Sequence, residues 1–463
     1  MRAAPAEPAA APARDRFLGI ARRVAEETFG PPQQRGFSIR YWDGFLEQGA
    51  PGARAPLTLI IRHPGALRAM LLPPSELAFG QAFLCGHVEL EGDVEAAAPL
   101  ARIAAGRLSS PRRLARLFRL LLRLPPSGPI GATARPHERP RLWQGRHSQR
   151  RDAAAIRHHY DVGNEFYQLW LDPQTVYSCG YFPPGVADLD AAQVAKLDYI
   201  CRKLRLRPGE RLLDIGCGWG ALVRHAVRRY GVEAVGITLS PAQAELASRR
   251  IAKAGLGDRC RVEVSDYREL PNRPAFDKIA SVGMVEHVGR ARLPGYFATA
   301  FRVLRPGGLF LNHGIVDLEA ARHQSVRARL RQWFWREGRF LQRYVFPDAE
   351  LVPLAEVVRA AEETGFESRD VESLREHYVL TLRHWVRRLE AREREAVALV
   401  GEATFRVWRL YLGASAHAFA TGRIGVVQLL LSKPPVAAGG VTPLTRHDLY
   451  LDLRPELVEA WTR

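Results

Sequence analysis

Residues 212–220 read LLDIGCGWG: an apolar run that ends on an aspartate, then Gly216, Gly218 and Gly220 at alternate positions ahead of a helical pattern. Such a stretch predicts a buried strand that turns sharply into a helix, the glycines permitting positive φ and the close approach of a ligand to backbone. In a doubly wound sheet that turn lies at the edge where ligands bind. The third glycine comes one residue too early for the GxGxxG dinucleotide pattern, so the loop does not read as a pyrophosphate cradle. Outward from it, short apolar runs recur at 232–239, 260–265, 277–284 and 308–312, with helical stretches between them. That alternation predicts a parallel, doubly wound α/β sheet.

On the C-terminal side, residues 324–343 and 376–420 read as aromatic-rich helices suited to roof an apolar pocket, before a last strand at 425–432. On the N-terminal side, residues 15–106 alternate amphipathic helices with strand-like runs such as 57–62, a small α+β pattern in which 83–92 reads as a hairpin. Residues 111–124 place Arg112, Arg116, Arg119 and Arg123 on one helical face and Leu114, Leu117, Phe118 and Leu121 on the other. That pattern suits a membrane-surface helix, or a helix packed on its own domain with solvated arginines. The resulting division is a disordered start at 1–14, an α+β domain at 15–124, a Pro/Gly-rich linker at 125–150, the large α/β domain at 151–434 and a tail at 435–463.

Of 463 residues, 47% are hydrophobic and 25% charged, the balance of an ordinary soluble protein with a buried core. The chain has no apolar run of membrane-spanning length and no secretory leader pattern, which predicts a cytoplasmic protein. Five cysteines without CxxC spacing predict neither structural zinc nor disulfides, and no metal site is expected. Sixty-seven basic against 49 acidic residues give a net charge of +18, and only Lys196, Lys203, Lys253, Lys278 and Lys433 among the basic residues are lysine. This field favours an anionic partner, either nucleic acid or lipid headgroups, although a GC-rich genome would also enrich arginine.

Four further segments carry chemistry. Residues 235–240 read VGITLS, followed by Gln243, where Thr238 and Gln243 offer neutral hydrogen-bonding groups at the end of the second strand. Asp266, Tyr267 and Arg268 follow the third. Residues 158–179 read HHYDVGNEFYQLWLDPQTVYSC, and 281–289 read SVGMVEHVG. The glycine spacing resembles the S-adenosylmethionine-dependent methyltransferases. The motifs in this order, from about 156 to 433, resemble the cyclopropane fatty acyl phospholipid synthase family, which includes the mycolic acid cyclopropane synthases. The resemblance implies a class I methyltransferase (Rossmann-like) domain with helical insertions over an acyl channel. It also implies an N-terminal domain like the lipid-carrier proteins.

What the resemblance implies chemically is specific. The methyl of S-adenosylmethionine is attacked by a cis alkene of an acyl chain, and a base removes a proton from that methyl so that a cyclopropane closes. The base is a bicarbonate ion, placed by resemblance at Cys179, Glu286, His313, Tyr378 and the backbone of Ile315. The cofactor falls to Tyr160, Ser178, Gly216, Gly218, Thr238, Gln243, Asp266 and Tyr267. Taken singly, Cys179 reads as apolar filler, His313 as a core histidine and Tyr378 as a helix surface residue; Cys217 reads as small and structural. The implied partners are phospholipid acyl chains and anionic lipids at the inner face of a membrane, with no nucleic acid and with a homodimer expected. A methyl-branched or methylene-bearing product from the same alkene is the alternative outcome of the same chemistry. A non-catalytic lipid-binding or transfer protein, and a nucleic acid methyltransferase, are the readings from other classes.

Overall fold

The structure, a computed structural model, describes residues 16–50, 57–126, 149, 151–152, 162–319, 338–346, 349–435 and 442–450. Tyr160, the 1–14 start, almost all of the 125–150 linker and most of the helical expectation at 324–343 and of the tail lie outside these residues. The chain divides into two compact units, residues 1–134 with 327–339, and residues 135–326 with 340–463.

The first unit contains α1 (Leu18–Phe29), β1 (Ser38–Arg40), β2 (Leu46–Glu47), β3 (Leu57–Ile61), α2 (Ala66–Leu71), α3 (Glu76–Leu84), β4 (Val88–Gly92), α4 (Leu100–Arg107) and α5 (Pro111–Leu121). Its sheet runs β2-β1-β3-β4, with β1 and β3 parallel and the other pairs antiparallel. Burial of Leu57, Leu59 and Ile61 on alternate positions shows a sheet with one apolar face. The hairpin expected at 83–92 is absent. Phe83 and Leu84 end α3, whose first turn is capped by the Ser75 side chain accepting from Ala78 N at 3.2 Å, and only Val88–Gly92 extends, pairing with β3. Local capping beat an alternating pattern too short to decide. On α5 the buried residues are Leu117, Leu120 and Leu121, whereas Phe118, expected on that face, is 48% exposed.

The second unit is built on β5 (Arg211–Ile215), β6 (Glu233–Thr238), β7 (Cys260–Val264), β8 (Phe276–Val282), β9 (Leu304–Asp317), β10 (Glu367–Ser373) and β11 (Ile424–Ser432), in the order β10-β11-β9-β8-β5-β6-β7. The pairs from β9 to β7 are parallel; β11 runs antiparallel to both β9 and β10. The sheet is thus the parallel, doubly wound sheet expected, extended at one end by the antiparallel strands β11 and β10. Its helices include α6 (Asn164–Trp170), α7 (Leu189–Lys203), α8 (Ala221–Tyr230), α9 (Pro241–Lys253), α10 (Val285–Val288), α11 (Leu293–Val303), α12 (Leu354–Glu363), α13 (Arg375–Ala391), α14 (Glu393–Val400) and α15 (Glu402–Ala420). The helical run expected at 376–420 is broken at Arg392 and at Gly401, whose φ is 79°.

Both sheet faces are covered, which follows from the strand sequences. Leu212 packs with Leu197, Ile200, Val223 and Val227 of α7 and α8, while its neighbour Leu213 packs with Tyr296, Phe297 and Val357 of α11 and α12. Leu430 and Leu429 of β11 divide the same way. Continuous apolar runs are what a strand buried on both faces requires. The carboxyl ends of β5, β6 and β8 and the adjoining stretch of β9 then carry the residues described next.

Candidate active site

The loop after β5 owes its shape to its glycines. Gly216, Gly218 and Gly220 have φ of 79°, 53° and 73°, and Gly216 N and Cys217 N both donate to Ile237 O at 2.9 Å, tying the loop to β6. A Cβ on Gly216 would run into Met284, while one on Gly218 would meet open space. Cys217 is structural, as read from sequence: it is buried, and its Sγ would lie 2.7 Å from a Cβ added at Gly236. The cavity above the loop is lined by Tyr177, Ser178, Lys196, Asp214, Gly216, Gly218, Thr238, Gln243, Tyr267 and Met284.

Thr238 and Gln243 are held as one unit at the carboxyl end of β6. The Thr238 hydroxyl donates to Gln243 Oε1 at 2.8 Å and accepts from Ser240 N at 3.2 Å, while Ser240 Oγ accepts from Gln243 N as the N-cap of α9. Tyr267 stands edge-on to Tyr296, with ring centroids 5.4 Å apart. Asp266, read from sequence as facing an adenine, is tied to Arg268: its Oδ1 accepts from Arg268 N and Nε, its Oδ2 from Arg268 Nη2 at 2.6 Å, and Tyr267 and Arg268 beside it line the cavity.

Two cavity residues were given no site role in the sequence reading. Lys196 of α7 is 2% exposed, and its Nζ donates to Ser178 Oγ at 2.9 Å. Burial lowers its pKa to about 8, against the nearby Asp172, Cys179 and Asp214, which favour the cation. Asp214, the aspartate of the glycine-loop motif, is pushed up to about 7 by burial, opposed by Lys196, and its Oδ1 has no hydrogen-bond partner among the described residues. A cation and a carboxyl thus line one cavity, a pairing suited to a zwitterionic amino acid moiety. The sign available in sequence was a lysine in a chain that otherwise uses arginine.

A second polar cluster forms where α10, β9, β11 and α13 meet. Ile315 N donates to Glu286 Oε1 at 2.9 Å; Glu286 Oε2 is buried without a partner among the described residues. Gly314 permits this approach, since a Cβ there would strike Val285 and come within 3.7 Å of Glu286 Oε2. His313 is 2% exposed and its Nε2 is likewise without a partner. His313 is oriented by Gln428, directly across the β9–β11 ladder, whose Nε2 lies 3.2 Å from His313 Nδ1. With the amide nitrogen placed toward Nδ1, the imidazole carries its proton on Nε2, the atom without a partner among the described residues.

Cys179 and Tyr378 join this cluster through the backbone of Leu374. The thiol donates to Leu374 O at 3.6 Å and lies 3.2 Å from Gly180 O; Leu374 N donates to Val426 O, and Val426 pairs with Ile315. Tyr378 N donates back to Leu374 O, and the tyrosine is buried, its ring 4.5 Å from Phe419. It is therefore no helix surface residue. Burial raises Glu286 to about 7, lowers His313 to about 3 and pushes the Cys179 thiol far up. His313 and the Cys179 thiol are therefore neutral at neutral pH, while Glu286 titrates there, so the cluster offers N–H and S–H donors beside a carboxyl poised to hold or release a proton.

Between the two clusters stands an aromatic wall. Tyr177, which lines the cavity, lies with ring centroids 5.5 Å from Tyr167, 5.5 Å from Trp170 and 5.2 Å from Trp385; Trp385 lies 5.9 Å from Tyr378. Trp408 closes on Phe166, Tyr167 and Trp170 from α15. Such faces attract a positive centre and exclude water. Among the described residues no group of three or more His, Cys, Asp or Glu side chains could hold a metal ion, and no helix is long and apolar enough to cross a membrane.

The comparisons with known proteins agree with this geometry. The family model described as mycolic acid cyclopropane synthetase matches residues 147–429. A probable fatty acid methyltransferase of Pseudomonas putida is 42% identical over 412 residues, covering 89% of this chain and 95% of that protein. A probable fatty acid methyltransferase of Mycobacterium tuberculosis is 38% identical, covering 87% and 90%. Among solved structures, the mycolic acid cyclopropane synthase CmaA1 complexed with SAH and CTAB superposes with a TM-score of 0.57 at 35% identity, over 61% of this chain and 98% of that one. The cyclopropane synthase MmaA2 from Mycobacterium tuberculosis gives 0.56 at 34%, again over 61% and 98%. With a doubly wound sheet, a glycine loop opening on a cavity and these relatives, the chain belongs to the mycolic acid cyclopropane synthetase family of S-adenosylmethionine-dependent methyltransferases.

Proposed function

We propose that this protein adds the methyl carbon of S-adenosylmethionine across a cis double bond of a phospholipid acyl chain at a membrane surface, with bicarbonate as the base. The observation that carries the reading is the pair of buried atoms Glu286 Oε2 and His313 Nε2, without partners among the described residues, in a cluster where burial keeps His313 neutral and holds the Glu286 carboxyl far above its ordinary range. A small anion with a hydroxyl answers both, accepting from His313 Nε2–H and meeting the Glu286 carboxyl. Bound S-adenosylmethionine supplies an electrophilic methyl, and bound bicarbonate supplies a base that does not trap a cation. The chain's own residues do the rest. Gly216 and Gly218 leave room for the cofactor, Lys196 and Asp214 face its charged groups, and Thr238 with Gln243 offer polar groups at the strand end. Tyr177, Trp385 and Tyr378 wall off water between the cavity and the anion cluster.

A second reading keeps the cofactor, the alkene and the fold but ends in a methyl-branched or methylene-bearing chain. The names of the Pseudomonas and Mycobacterium relatives, both probable fatty acid methyltransferases, favour it. The discriminating experiment incubates purified protein with S-adenosylmethionine and vesicles of cis-unsaturated phospholipid, then separates the acyl products by gas chromatography with mass spectrometry. A ring product that needs added bicarbonate, and that His313→Ala abolishes while cofactor binding persists, supports the proposal. A methyl-branched product overturns the ring-closing role of the anion cluster, and no lipid product of either kind overturns the substrate assignment.

A further inference from the structure

The helix α5 presents three sectors. Leu117, Leu120 and Leu121 are buried within the first unit. Phe118 and Leu122, one turn apart, stay 48% and 52% exposed, among the few large apolar side chains left in solvent. Arg112, Arg116, Arg119 and Arg123 are exposed as well. At the helical period Phe118 and Leu122 fall about 40° from each other, and the four arginines fill the sector beyond them, away from the buried leucines. Between Glu95 and Glu138 the chain has eight arginines and no acidic residue. Of the arginines on α5, Arg116 alone reaches a carboxylate among the described residues, Glu27 Oε1 at 2.7 Å.

We infer that this strip, Phe118 and Leu122 edged by Arg112, Arg119 and Arg123, is the surface on which the chain lies on an anionic lipid bilayer. The inference deepens the lipid reading above and rests on it. Packing within the unit is already satisfied by the leucine sector, so the exposed pair is surplus to the fold. An apolar edge beside unneutralised guanidinium groups matches one environment in particular, the boundary between acyl chains and phosphates, where apolar side chains enter the hydrocarbon edge and arginine binds phosphate in bidentate fashion. The absence of acids over this stretch removes the repulsion that a mixed-charge helix would meet at such a surface.

The test is co-sedimentation of the full chain with vesicles of mixed phosphatidylcholine and phosphatidylglycerol, against vesicles of phosphatidylcholine alone. Wild type is expected to pellet with the anionic vesicles. F118S/L122S should lower its partition at least about tenfold, as loss of two inserted apolar side chains requires. R112Q/R119Q/R123Q should lower it and flatten its salt dependence. Because all five side chains are exposed, circular dichroism and melting midpoints should match wild type. Turnover of detergent-dispersed phospholipid should survive in both variants, since neither touches the site. Unchanged partition of F118S/L122S overturns the inference. So does a wild-type dimer that the same variant splits in light scattering while vesicle binding stays as it was, which would assign the strip to a second copy. Failure of the lipid reading would show separately, as absence of turnover by wild type on dispersed phospholipid, with the vesicle result still legible.

Discussion

Gln428 shows where a residue's role comes from its partner and not from its own surroundings in sequence. It lies 115 positions from His313, inside an apolar strand, with nothing nearby to mark it; only the antiparallel pairing of β11 on β9 brings the two opposite each other. Gln428→Leu removes the hydrogen bond that fixes the His313 tautomer and should lower turnover roughly 10- to 100-fold, the range typical of lost outer hydrogen bonds. Calorimetric affinity for S-adenosylmethionine should stay put, and partial recovery in Gln428→Asn would separate positioning from simple packing loss. Glu286 yields a prediction of a different sort. Its pKa is about 7 when folded against an ordinary 4.5, so between those values the folded chain keeps a proton that the unfolded chain releases. Stability therefore falls as pH rises through that window and is level above it. Glu286→Gln should remove that fall, by ~3 kcal/mol at most. Denaturation midpoints of both proteins from pH 4.5 to above 7, in bicarbonate-free buffer, check it; a difference independent of pH would refute the shift. Thr238, Gln243 and the loop glycines were legible because each belongs to a short contiguous motif, whereas Lys196 and Gln428 act through contacts with distant strands and helices.

The elements that carry the site are those whose patterns are strongest. The β5 turn, with its glycines at positive φ, follows from LLDIGCGWG alone, because side chains other than glycine rarely adopt those angles. Gly216→Ala adds a Cβ that meets Met284 at a φ of 79°, so cofactor affinity should fall and stability should drop by about 1–3 kcal/mol. Pairing it with Met284→Ala should restore part of the loss, since the clash is with a flexible side chain; a double variant no better than the single would place the defect in backbone strain alone. Elements failed to announce themselves where polar residues form strands. β10, reading ESRDVES, has one apolar residue among seven, since it is an edge paired on one side only. The hairpin expected at 83–92 failed for the opposite reason: a few apolar residues fit either period, and the cap at Ser75 decided for helix.

At the scale of the whole molecule, the net charge of +18 predicts behaviour that no single residue shows. Binding of the full chain to anionic vesicles should weaken steeply as salt rises, because exposed charges are screened within about 10 Å at 0.1 M salt. Vesicle binding measured across a salt series checks this, and insensitivity to salt would remove charge from the account. Composition indicated an anionic partner without choosing which one; choosing takes the site, and the site takes the fold. The order of the seven-stranded sheet has one more consequence. β11, the last strand along the chain, lies between β9 and β10, not at an edge. On a growing polypeptide the glycine-loop half of the sheet is complete more than a hundred residues before that inner strand is made. His313 therefore waits for its partner until residues 424–432 have left the ribosome. Assembly of the His313 cluster is thus an event of the finished chain, set by a non-local pairing of the kind that folds slowly, and a chain cut short before β11 would leave His313 without Gln428 opposite it.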